Sequence, residues 1–146
     1  MTQPIHLQLR ALRREMRLRR KDLAAQIGVY YNTISSWDTG RKAPFTHHAH
    51  AYARAVHHHL VAIDPTGTIV GNLIDLMPKL PAMRRQRGLS QQMLSHHLRT
   101  TKSAVSSLEV RIHAGDSILL TTLEGYLLGF NLSMALVPAE RAERAA

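Results

Sequence analysis

Ten histidines stand in the chain, and His47, His48, His50, His57, His58 and His59 fall in one stretch. Such tracts are a metal-binding composition. On a helix, His47 and His50 are three apart and share a face, with His50 a further turn or two from His57. No nearby Asp, Glu or Cys completes a coordination shell, and HExxH is absent. The tract and the His96-His97 pair therefore read as solvated surface histidine, with no metal expected. Cysteine is absent, which removes disulfides and thiolate metal sites. There is no glycine-rich phosphate loop, nucleophile elbow or close carboxylate pair, so neither an enzyme nor a cofactor is expected. The chemistry that remains is charge. Nineteen Lys and Arg face ten Asp and Glu, a net +9 with a pI near 10.8. That field favours polyanions, chiefly nucleic acid.

The charge is densest at Arg17, Arg19, Arg20 and Lys21. Close behind it, Tyr31, Asn32, Thr33, Ser35 and Ser36 occupy the outward positions of a short helical pattern whose inward residues are Ile34 and Trp37. These side chains are small or polar and suit base edges and phosphates. Asn has the geometry to pair with adenine.

The elements that must position them follow from periodicity. Leu7, Leu9, Leu12 and Met16 predict a helix over 5–17. RKDLAAQI predicts a second over 20–27, ended by Gly28. YNTISSWD predicts a third over 31–38, ended by Gly40 and Pro44. A fourth is expected over 46–58. His59, Val61 and Ile63 then alternate like a strand, Asp64-Pro65-Thr66-Gly67 is a turn, and 68–70 reads as a returning strand. Beyond it the spacing predicts helices over 72–87 (weak at Pro78 and Pro81), 91–98 after Ser90, 102–110 after Thr101, and 117–130. Leu132, Met134 and Leu136 alternate again. The tail 139–146 reads as a frayed helix or as disordered.

This scheme is one unit written twice. Residues 12–38 align with 83–109 without a gap, and Arg13, Arg14, Leu18, Leu23, Ser35 and Ser36 recur as Arg84, Arg85, Leu89, Leu94, Ser106 and Ser107. Lys102, Ser103, Ala104, Ser106 and Ser107 are thus the second unit's outward set, and Lys102 has the reach for a guanine or a phosphate. The organisation expected is a first unit with its terminal strand over 1–65, a connector over 66–79, a second unit with its strand over 80–138, and the tail.

LRREMRLRRKDLAAQIGVYYNTISSWDTGRKAP resembles the lambda-repressor-like, Cro-type (XRE) helix-turn-helix family, and so does MRRQRGLSQQMLSHHLRTTKSAVSSLE. The first run carries the pattern in Arg13, Leu23-Ala24, Gly28-Val29, Ile34-Ser35, Trp37-Asp38, Gly40 and Pro44. The second departs from it at Ser95, at Arg99 in place of the turn glycine, and at Arg111 in place of the glycine after the acid. The resemblance implies a mainly α fold of two tandem helix-turn-helix bundles joined by a small antiparallel β element. It implies phosphate contacts from Arg20 and Gln91, which open the second helix of each unit. Arg19, Lys21, Tyr30, Arg41, Lys42, Ser90, Thr101 and Arg111 complete the expected DNA-facing set. It also implies structural ion pairs between Arg13 and Asp38 and between Arg84 and Glu109.

The function expected is a sequence-specific double-stranded DNA-binding transcriptional regulator. Small units of this family are common as phage or mobile-element immunity repressors, which act by occupying an operator. Two unlike helices imply an asymmetric or quasi-palindromic operator. The two alternating segments are expected to pair with each other or with 68–70, making one chain a pseudo-two-fold monomer; exchange of a strand between chains would give a homodimer. An antitoxin-like protein that binds a toxin and autoregulates is the main rival, and a His-metal nuclease a second. The polar, Arg-rich N-terminus is no secretory signal and no run approaches a membrane span, so a cytoplasmic, nucleoid-associated protein of a bacterial cell is expected.

Overall fold

A computed structural model describes residues 3–145. The chain is mainly helical with one small antiparallel sheet. Ile5, Leu9 and Arg13, spaced by four, form the buried stripe of α1 (Ile5–Glu15). α2 (Arg20–Ile27) buries Leu23 and Ala24, and α3 (Tyr31–Asp38) buries Ile34, Trp37 and Asp38. α4 (Thr46–Ala55) leads to β1 (His58–Ile63), and an Asp64 turn returns the chain as β2 (Ile69–Asn72). In that turn Asp64 Oδ1 accepts from the backbone N–H of Thr66 and Thr68 at 2.9 and 3.0 Å. There follow α5 (Leu73–Leu76), a 3-10 turn over Met77–Lys79, α6 (Leu80–Gln86), α7 (Gln91–His97), α8 (Lys102–His113), α9 (Leu120–Leu128), β3 (Ser133–Pro138) and α10 (Ala139–Ala145).

Several boundaries differ from those the periodicity predicts. The helix expected over 72–87 is three pieces, because β2 continues to Asn72 and two prolines lacking N–H donors fall inside the run. The helix expected over 46–58 stops at Ala55, and His57 takes a left-handed φ of 59° that turns the chain into β1. α8 runs past Val110 to His113. Arg111 stands where the first half has Gly40, and the next left-handed break is Gly115. Residues 117–119 are not helical: Leu119 forms an antiparallel bridge with Phe45. The tail is helical through Ala145.

The repeat is visible in the backbone. The left-handed residues Arg17, Gly28, Gly40 and His57 have left-handed counterparts in Gly88, Arg99, Gly115 and Asn131. Arg99, at φ 54°, keeps the turn that Gly28 makes at φ 85° despite carrying a Cβ. The helix-ending backbone bond is kept too: Thr100 N–H donates to Ser95 O at 2.9 Å as Val29 N–H does to Ala24 O at 3.0 Å.

The sheet order is β2-β1-β3, both pairings antiparallel. β1 meets β3 from His58↔Pro138 to Ile63↔Ser133. With His57 matching Asn131, His59 corresponds to Ser133 and Ile63 to Val137, so the pairs His59↔Val137 and Ile63↔Ser133 exchange. Contacts across a two-fold axis have this property. The Phe45↔Leu119 bridge has it too, since each residue immediately precedes the fourth helix of its half. Thr46 N–H donates to Ile118 O at 2.7 Å and Leu120 N–H to Pro44 O at 2.9 Å, a reciprocal pair.

Buried apolar residues of both halves form one cluster, from Ile5 and Trp37 through Leu60 to Leu123 and Met134. One shared core should unfold as one unit. Leu60 is fully buried at the centre of β1. We expect Leu60→Ala to cost about 2–5 kcal/mol. Its melt should be a single transition at one midpoint, whether followed by Trp37 fluorescence in the first half or by far-ultraviolet circular dichroism of the whole chain. Separate midpoints would show that the halves unfold independently.

Candidate nucleic-acid interface

A buried acid anchors each half. Asp38 closes α3 at 1% exposure. Its Oδ2 accepts from Arg13 Nη2 of α1 at 3.0 Å and from Arg20 Nε of α2 at 3.1 Å, and its Oδ1 accepts from the Tyr52 hydroxyl of α4 at 2.8 Å. Arg13 also donates from Nε to Tyr52 Oη at 3.3 Å and from Nη1 to Leu18 O at 3.0 Å. Four helices therefore meet at one carboxylate. In the second half Glu109 of α8 takes the same role at 5% exposure. Arg84 Nε donates to its Oε2 at 2.7 Å, Gln91 Nε2 to its Oε1 at 2.8 Å, and the Tyr126 hydroxyl to Oε2. Arg84 Nη1 donates to Leu89 O at 2.7 Å.

The two networks differ in charge. Two guanidiniums meet Asp38, whereas one guanidinium and one amide meet Glu109. Bonding to Tyr31 and to Asp38 holds the Arg20 pKa above its ordinary value. Burial, then the neighbouring carboxylate, pushes the hydroxyls of Tyr52 and Tyr126 well above the usual tyrosine range, so both stay protonated donors. Burial also pushes Glu109 up, but Arg84, Tyr126 and Gln91 together outweigh it and hold the carboxyl below the usual range.

The acids fix the rear of α3 and α8; the opposite faces are open. Tyr30, at 85% exposure, and Tyr31 and Asn32 are exposed at the start of α3, while Thr33, Ser35 and Ser36 are half-buried. On α8, Lys102, Ser103, Ala104, Ser106 and Ser107 are all exposed. Arg19, Lys21, Arg41 and Lys42 are exposed around the first half, with Arg19 Nε on Asp22 at 3.1 Å. That exposed pair contributes little. Arg111 is exposed and donates from Nη2 to Ser117 O at 3.3 Å.

Other expected contact residues make hydrogen bonds within the chain. Arg20 and Gln91 turn inward to the acids. Ser90 and Thr101 use their hydroxyls as helix caps, accepting from Met93 N–H and Ala104 N–H at 3.0 Å. The corresponding positions of the first half, Arg19 and Tyr30, make no side-chain cap, so the opening N–H groups of α2 and α3 have no side-chain acceptor. The tyrosines at the acids are absent from the set expected from sequence. Their signal is their recurrence, one in each unit's fourth helix.

The histidine tract is not simply solvated surface. His48 packs its ring 5.4 Å from Trp37, and His50, His58 and His59 are half-buried around a cavity. Among the described residues no group of three or more His, Asp or Glu is placed to hold a metal ion, and no helix is long and apolar enough to cross a membrane. Comparisons with protein-family models, curated proteins and solved structures find no match for this chain.

The depressed Glu109 pKa sets a pH dependence. The unfolded chain binds the proton more readily than the folded one, so Glu109's contribution is complete above the ordinary carboxylate pKa of about 4.3 and is lost as pH falls through the lower folded value. We expect Glu109→Gln to melt lower than the parent at neutral pH and to lose less on acidification. Thermal melts between about pH 7 and 3 measure both slopes. An equally steep acid loss in the variant would show that Glu109 does not carry the effect.

Proposed function

We propose that the chain is a sequence-specific double-stranded DNA-binding regulator built from two lambda-repressor-like helix-turn-helix units, acting as a repressor of the phage or mobile-element kind by occupying an operator. The carrying observation is the pair of matching acid-centred networks. Each fixes a helix from behind and leaves a face of small polar residues outward, on a chain of net +9. A helix held in this way fits a major groove about 12 Å wide.

In this reading the first half supplies most of the affinity. Its uncapped N–H groups at α2 and α3 suit phosphates, and Lys21, Arg41 and Lys42 surround them. The second half offers the more open polar face on α8 and a single cation, Lys102, at its start. Unlike faces imply unlike half-sites.

Selection of binding sequences from random duplexes, followed by footprinting and salt titration, tests the reading. A protected site of about 12–20 base pairs is expected. Arg41→Gln and Lys42→Gln should each weaken all sites alike and reduce the salt slope by roughly 0.9 for every phosphate the variant no longer neutralises. Asn32→Ala should instead relax choice at one base position, costing about 1–3 kcal/mol there. If these changes leave affinity intact while Lys102→Ala abolishes it, the second half is the main reader. No preference among duplexes at any salt concentration would refute sequence-specific binding.

The reciprocal pairing of β1 with β3 supports one chain per operator. Light scattering should give a one-chain mass both free and on DNA. A stable two-chain mass on a perfect palindrome would mean that the strands exchange between chains.

A further inference from the structure

A cavity of about 370 Å³ lies where α4, the sheet, α5 and the start of α10 converge. Its volume falls within the range of small-molecule sites. The wall carries Arg54 and His50 from α4, His58 and His59 from β1, and Asn72 at the end of β2, with Ile74 as an apolar patch. Cations and imidazoles outnumber the one acid in the lining, Asp75.

The polar wall is incompletely satisfied. His58 Nδ1 lies 2.8 Å from Val56 O and donates to it, and Asn72 Nδ2 donates to His59 Nδ1 at 3.3 Å. By contrast, His50 Nδ1 and Asn72 Oδ1 are buried with no hydrogen-bond partner. Two such atoms in one wall are unusual, because buried polar groups nearly always find partners. Turning the Asn72 amide over would exchange its oxygen and nitrogen, and each imidazole can present either a donor or an acceptor. The wall can therefore reorganise around a guest.

We propose that this cavity binds a small phosphorylated organic molecule. Its phosphate is held by the Arg54 guanidinium and the imidazoles of His50 and His59, and its body lies against Ile74. Arg54 supplies the fork that suits a phosphate, and imidazole N–H groups supply directional donors. A bare ion would leave most of the cavity empty. Metal is the less suitable guest, since among the described residues no three ligating side chains converge. Burial, then Arg54 and His59, hold the His50 pKa below the ordinary histidine value; Asp75 opposes them and His47 adds to them. A bound phosphate would lift it, as an added negative charge does.

The proposal does not depend on DNA binding, and its test contains no DNA. Full-length protein labelled with ¹⁵N at histidine is titrated with phenyl phosphate, inorganic phosphate and Zn²⁺ separately, and ring resonances are followed. Phenyl phosphate should produce saturable shifts at His50 and His59, raise the His50 pKa, and bind more tightly than inorganic phosphate. Arg54→Gln, at an exposed position, should weaken binding about tenfold. Asp75→Asn should tighten it several-fold by removing the opposing charge. Shifts that do not saturate, that spread over all histidines alike, or that survive Arg54→Gln would overturn the site. Equal binding of inorganic phosphate would overturn the organic body, and one equivalent of Zn²⁺ displacing phenyl phosphate would make the site a metal site.

Discussion

A carboxylate buried among helices must be neutralised and hydrogen-bonded, or it costs more than it gives. Asp38 and Glu109 satisfy that demand by drawing in one group from each of three other helices. Four helices of each half are therefore positioned relative to one anion. The direction of α3 and α8 follows from this, because the acid sits on the same helix as the polar face. The halves meet the demand with different charge: Asp38 is overbalanced by two guanidiniums, while Glu109 is matched by one. Arg84 and Glu109 thus come closest to an isolated ion pair, and the Tyr126 hydroxyl and the Gln91 amide complete the carboxylate's bonds.

Much of this is legible in the sequence because the unit is written twice. Leu23 and Ile34 sit at helical spacing, Gly28 marks a turn, and Ser90 and Thr101 mark helix starts, so those elements lie close to where periodicity puts them. The differences fall where a tertiary contact overrides local preference. Residues 117–119 follow a helical pattern but are not helical, since the backbone from Ile118 to Leu120 pairs with that of Pro44 to Thr46. α8 is longer than α3 because Arg111, two residues after the acid, stands where the first half has Gly40, and nothing local stops the helix. At the site, the acids and their arginines are accessible through a family resemblance, but Tyr52 and Tyr126 are not. An aromatic residue at helical spacing looks like core packing, and its hydroxyl's partner depends on how α4 crosses α3. The cavity beside β1 is hidden for a similar reason. Its wall joins residues from 50 to 75, and a run of histidines gives no indication of which are covered.

The halves are joined by contacts of two kinds. The shared apolar core is non-directional and would tolerate many arrangements. The β1–β3 ladder and the Phe45–Leu119 bridge are directional, and both lie where the exchange of one half for the other leaves them unchanged. Backbone bonds at two separated places fix the angle between the halves, which the core alone would not. The faces carrying Asn32 and Lys102 thus keep a set separation.

Because those reciprocal contacts lie within a single polypeptide, their formation contains no concentration term. A pair of separate chains with the same contacts would part on dilution, and its activity would rise steeply with dose as partners met. Here the effective concentration of one half at the other is set by the β1–β2 turn and the connector, whatever the number of molecules in a cell. Under the proposed function with one chain per operator, the response to rising protein is graded from the first molecule. A substitution, moreover, alters one half alone, so either outward face can drift in sequence while the other keeps its own.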